Sequence, residues 1–101
     1  MANPWRGEAS LRIGGRDYIL RPSFAALAAA EQELGSLFAL VERAAAGGLM
    51  LSELVPLFWH CLTERESLTR DQMGEAVVQQ GLSAVAPQIR LLLGQILQGE
   101  A

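Results

Sequence analysis

Residues 7–31 read GEASLRIGGRDYILRPSFAALAAAE, and the reading of this stretch decides the fold. Gly14-Gly15 separates two alternating segments. Both central positions of a type I′ turn need positive φ, which glycine reaches without steric cost, so the pair predicts a two-residue hairpin spanning about 7–21. In that register, residues whose numbers sum to 29 face each other. Ala9 meets Leu20, Leu11 meets Tyr18 and Ile13 meets Arg16 on one face, the expected buried one. The other face sets Arg12 against Asp17 and Glu8 against Arg21, opposite charges each time, with Ser10 beside Ile19. A lone hairpin is marginal in water, so its apolar face must lie on helices or join another sheet. Arg21-Pro22 then ends the strand, because proline drives its predecessor into extended geometry and offers no backbone donor. Ser23 follows as a helix cap.

Working outward from this junction, the chain reads as helices. Phe24, Leu27 and Leu34, flanked by Ala28 and Glu31, form a stripe over about 23–34, the alanines admit a close neighbour, and Gly35 stops the helix. Ser36 caps a second helix over about 36–46 with Leu37, Leu40, Val41 and Ala44 in register, ended by Gly47-Gly48. LSELVPLFWHCLTER predicts a third over about 52–64, capped by Ser52, with Pro56 early enough to be tolerated. Its apolar residues Leu54, Val55, Leu57, Phe58, Trp59, Cys61 and Leu62 cover nearly the whole circumference, which marks it as the central helix. Thr69 and Gln72 have capping-box spacing for a fourth over about 69–80, with Met73, Ala76 and Val77 inward and Gly81 as terminator. Ser83 opens a fifth over about 83–98, striped by Val85, Ile89, Leu92, Leu93, Ile96 and Leu97. The expected fold is α+β but mostly α: an N-terminal β-hairpin followed by a compact bundle of four to five short helices, one domain over 1–101.

Composition narrows the function. Half of the 101 residues are apolar and 19% charged, which suits a globular chain with one core. Eleven acidic against eight basic residues leave no positive field for collecting phosphates, so nucleic acid is not an expected partner. The start MANPWRGEAS has no apolar core behind a basic region, and no stretch approaches the ~20 apolar residues a bilayer needs. A cytoplasmic protein with no membrane partner is expected. Cys61 is the one cysteine and His60 the one histidine. Adjacent on a helix, they point about 100° apart and cannot form a nucleophile and base. Glu31 with Glu33, and Glu64 with Glu66, are two apart, diverge on a helix and read as solvated faces. Gly14-Gly15 precedes no helix, so it is no phosphate loop. No catalytic residue, cofactor or metal is expected, and His60 and Cys61 read as packing residues.

The order of Asn3, Gly7-Glu8, the glycine turn, Leu20-Arg21-Pro22-Ser23-Phe24, Leu27 and Glu31 resembles the start of a small-protein family of gene transfer agents and related tailed phages or prophages. The likeness continues more weakly through Leu49–Leu54 and Trp59-His60-Cys61-Leu62 to Leu97-Gln98-Gly99. That family is described as a phage tail assembly chaperone and, in older descriptions, as a tail tube protein. The resemblance implies a non-enzymatic helper that holds the tape-measure protein, or unpolymerised tail-tube subunits, until the tail is built. A structural tail protein is the alternative reading, and a small helical regulator a further one; the first would need a larger sheet and the second a basic recognition helix. The residues are compatible with a helper, since spare apolar surface on a small acidic protein can cover the stripes of a helical client. Candidate contacts are Leu49, Met50 and Leu51 after the double glycine, and Leu91 in a run of three leucines that cannot all face one core. These leucines equally suit a wrapped core or a contact between copies in a homo-oligomer. Arg21 either meets a partner or pairs with Glu8.

Overall fold

The hairpin forms in the expected register. In the computed structural model, which describes residues 8–98, β1 (Ala9–Ile13) pairs antiparallel with β2 (Arg16–Leu20), with Ala9 opposite Leu20, Leu11 opposite Tyr18 and Arg12 opposite Asp17. Gly14 and Gly15 take φ of 58° and 81°, as the two-residue turn requires. Asn3, Gly7 and Gly99 lie outside the described residues. Five helices follow: α1 (Phe24–Leu34), α2 (Leu37–Ala45), α3 (Leu51–Cys61), α4 (Arg70–Gln80) and α5 (Leu82–Gln98). The architecture is therefore mostly helical, with a two-stranded sheet at its N-terminal end.

Ala9, Leu11, Ile13, Tyr18 and Leu20 are all buried on one face of the hairpin, against α4 and α5. Arg16 departs from that face. At the tip of the ribbon its long side chain reaches solvent, lies 5.0 Å from the Tyr18 ring centroid and donates to Glu64 at 2.8 Å. On the other face Arg12 meets Asp17 at 3.1 Å and Arg21 Nε donates to Glu8 Oε2 at 2.6 Å. That second pair is not a surface ornament, since Glu8 is only 3% exposed.

α3 is the central helix, packed on α1 and α4, with Leu54, Leu57, Phe58 and Cys61 buried. Ala30, fully buried in α1, provides the small contact expected of the alanine-rich helix. α3 ends at Cys61, three residues before the expected boundary. There the chain turns extended: Leu62 bridges Leu20, Arg21 N–H donates to Cys61 O at 2.7 Å and Thr63 N–H to Ile19 O at 3.1 Å. The outer edge of β2 offers unpaired backbone groups, and satisfying them competes successfully with one more helical turn. Leu62 is buried through this bridge and not as part of the helix.

Ser23, Ser36 and Thr69 cap α1, α2 and α4, accepting from Ala26, Ala39 and Gln72 N–H at 3.2, 3.3 and 3.1 Å. Thr69 N–H donates back to Gln72 Oε1 at 2.8 Å, completing the box. Ser52 and Ser83 do not cap. Their helices begin one residue earlier, at Leu51 and Leu82, so both serines sit inside the first turn. At α3 the orphan donor of Met50 is met by Glu53 Oε1 at 3.1 Å, and at α5 Ala84 N–H donates to Gly81 O at 3.1 Å. Pro56 and Pro87 stand four residues after these serines, so neither can donate to the serine carbonyl.

Candidate functional site

Several polar side chains hold elements together. Glu33, in the last turn of α1, accepts from Arg70 Nη1 and Nη2 at 2.6 and 2.9 Å and from His60 Nε2 at 2.8 Å, tying α1 to α3 and α4. The Arg70 hydrogen bonds, then that of His60, hold its carboxyl down to about 2, and the same contact raises Arg70. The guanidinium carbons of Arg65 and Arg70 each lie 5.7 Å from the Trp59 ring centroid. Glu31 Oε2 accepts from Leu37 N–H at 3.1 Å, at the start of α2. Glu53 is lowered by the Met50 N–H, then by its bond from Arg43. Glu66 accepts from the Arg65 N–H at 3.1 Å. The carboxylates expected to be merely solvated are thus links and caps. Only the tertiary fold could reveal this, because Glu33 and Arg70 are 37 residues apart. Cys61 is buried, and burial pushes its thiol up to about 12, so it is protonated and unreactive at neutral pH.

Apolar groups, by contrast, are left uncovered on the side formed by α2 and α5. A groove of about 630 Å³ runs between them, walled by Val41, Ala45, Leu49, Ile89 and Leu93. It continues past Val41 and Leu97 into a smaller hollow of about 240 Å³ lined by Leu27, Leu37, Phe38 and Ile96. Phe38 is 77% exposed and Leu97 58%. A depression of about 400 Å³ between α3 and α4 is lined by Leu51, Val55, Gly74 and Val78 together with the charged Arg70, Asp71 and Glu75.

The candidate contacts scatter across these features. Leu49 is half-buried in the wall of the groove, while Leu51 lines the α3/α4 depression. Met50, exposed, sits at the start of α3. Leu91 is exposed on α5 but lines neither hollow, whereas its neighbours divide the work: Leu92 is buried and Leu93 faces the groove. Arg21 is engaged by Glu8 and lines a pocket of about 570 Å³ together with Ala26, His60, Thr63 and Arg65. Phe38 and Val78 are exposed apolar residues that lie off the stripes of their helices, and Leu97, at the end of the α5 stripe, is exposed as well. The signal at Phe38 was present: it lies about 100° from Leu37, off the stripe of Leu37, Leu40, Val41 and Ala44. Phe24 also departs from expectation, being 89% exposed. As the first residue of α1, its side chain tilts back over the helix end, where the stripe has nothing to pack on.

A family model described as phage tail tube protein, GTA-gp10, matches residues 6–99, nearly the whole chain. The protein belongs to this GTA-gp10 family. Membership makes it a phage tail-related protein, of a family described by a part of the tail and not by a reaction. No curated protein and no solved structure matches the chain. Among the described residues of this GTA-gp10 family member, no single helix is long and apolar enough to cross a membrane.

Proposed function

We propose that this GTA-gp10 family protein is a non-enzymatic tail assembly chaperone that covers apolar surface on tape-measure or tail-tube subunits in the host cytoplasm until they enter the tail. The observation that carries the reading is the uncovered apolar groove between α2 and α5, rimmed by Phe38 and Leu97. Exposed aromatic and aliphatic groups around a concave apolar floor suit reversible capture of a partner's apolar stripe. The net charge of −3 keeps such a surface soluble and supplies no field for nucleic acid. Leu49, which lines the groove, is the candidate contact within it; Met50, Leu51 and Leu91 extend the candidate surface outside it.

The family description favours a second reading, a structural subunit of the tube. Against it stands the small size of the sheet: two five-residue strands, with one edge already occupied by Leu62 and Thr63. Co-expression separates the two. A chaperone keeps the tape-measure or tail-tube protein soluble, co-purifies with it and is absent from finished particles. Recovery in particles at a copy number matching the tube, with no effect on the solubility of either subunit, would overturn the chaperone reading in favour of the structural one.

A further inference from the structure

Gly94 is a glycine that the fold itself does not require. It lies inside α5, where glycine is the least favourable helix former after proline. Its φ is not positive, and a Cβ built there meets no atom within 4 Å. Gly74, the other glycine inside a helix among the described residues, differs: its Cβ would contact Val55 Cγ2 at 3.9 Å. Among the described residues no other element comes within 4 Å of the Cβ position at Gly94, yet it lines the α2/α5 groove, which is where a partner's backbone would approach.

The groove has a length and a direction. Ala44 and Ala45 share its wider part with Ala86 and Ile89, whereas Leu37 and Phe38 meet Ile96 and Leu97 at the other end, so α2 and α5 run antiparallel. From Ala86 to Leu97 the wall is about 16 Å long, or three helical turns. Arg90 is the one charged residue lining the wider part and forms no ion pair among the described residues. At the narrow end lies the Glu31 carboxylate, beside the last turn of α5, which carries no basic residue. Its Oε2 also accepts from Leu37 N–H at the start of α2, but the full carboxylate charge and the negative C-terminal end of α5 outweigh the positive start of α2, so that end favours the positive N-terminus of an incoming helix.

We propose that the groove receives one amphipathic α-helix of about three turns from a partner protein, backbone-close over Gly94, antiparallel to α5 and with an acidic side chain on its flank against Arg90. This deepens the chaperone reading, on which it rests, by naming the form of client segment the groove accepts. A larger anchor fills the hollow beside Phe38, and further apolar side chains at i+4, i+7 and i+11 follow the floor.

The test uses the full chain and a synthetic, stapled amphipathic helix with leucines at i, i+4, i+7 and i+11 and one flanking glutamate, labelled for fluorescence anisotropy. Gly94→Ala is expected to raise Tm yet weaken binding by about fivefold, and Gly94→Phe to weaken it by about a hundredfold with the circular dichroism unchanged. Arg90→Glu should weaken this probe and favour its lysine counterpart. Unchanged or tighter binding by Gly94→Ala overturns the close approach. A spin label on the probe's N-terminus should broaden signals of Phe38 and Leu97; broadening of Ala45 and Leu49 instead overturns the orientation. Dimerisation that Gly94→Phe abolishes, with no probe binding, would make the occupant a second copy and overturn the proposal. If Gly94→Phe still solubilises the tail subunits, the groove assignment fails while the chaperone reading stands. If the probe binds as expected but tail subunits are never solubilised, the chaperone reading is what fails.

Discussion

The flank built from α1, α3 and α4 and the flank built from α2 and α5 use similar side chains to opposite ends. On the first, charged groups close on each other: Glu33 gathers His60 and Arg70, and Arg65 and Arg70 lie against Trp59. The second gathers Phe38 and Leu97, both in solvent, around an apolar groove that Gly94 lines, with Arg90 in no ion pair among the described residues. Groups committed to one another within the chain contribute to its stability, whereas groups left uncommitted are available to a partner. The difference separates what holds this protein together from what it offers to others.

Two phenylalanines give that comparison its largest contrast. Phe58 is fully buried in α3, so Phe58→Ala is expected to cost about 3–5 kcal/mol, a large share of the stability of a domain this size. Denaturant unfolding measures it; a loss below about 1 kcal/mol would mean that α3 is not the centre of the core.

Removing the caps of the committed flank has a smaller effect. Ser23→Ala and Thr69→Ala should each cost about 1 kcal/mol, because each oxygen satisfies a backbone donor at its helix start. An unchanged Tm for either variant would show that solvent serves that donor equally well.

The Glu33 cluster should be weaker still and depends on pH. Its carboxyl is depressed from 4.5 to about 2 in the folded chain, so its contribution is fully present above the unfolded value and is lost as pH falls through that window. Partial exposure and solvent screening limit it to less than about 1 kcal/mol. Glu33→Gln should therefore flatten the fall in stability between those values and change the neutral-pH Tm slightly. An acid limb as steep in the variant as in the parent would locate the titration elsewhere.

Phe38→Ala should have the smallest effect on the fold, within about 0.5 kcal/mol, since the ring is mostly in solvent. Its effect belongs to association: capture of tail subunits should fall while Tm holds. A loss of stability comparable with that of Phe58→Ala would erase the distinction between the two flanks.

Much of the fold was legible because its signals are local. Gly14-Gly15 sets the hairpin register, Pro22-Ser23 the change from strand to helix, and Thr69 with Gln72 the start of α4, each within a few residues. Ser52 and Ser83 misled because a serine two positions into a helix resembles one at its cap, and the choice was made by Glu53 at α3 and by the Gly81 carbonyl at α5. The surface was less legible. Periodicity identifies the stripes of α2 and α5 without showing which parts of them meet, so it does not reveal that Leu97, at the end of one stripe, and Phe38, beside the other, are left in solvent.

The sequence by itself determined the hairpin, its register, the order of five helices and the central place of α3, because turn chemistry, capping and periodicity act through neighbours along the chain. Tertiary structure alone decided that Leu62 and Thr63 leave the helix to close the edge of β2, that Glu33 finds His60 and Arg70, and that α2 and α5 stand apart around Gly94. Each of those outcomes joins groups far apart in sequence. Their partners are selected by unsatisfied backbone donors, desolvated charge and the shape left between helices, quantities that exist only once the chain has closed on itself.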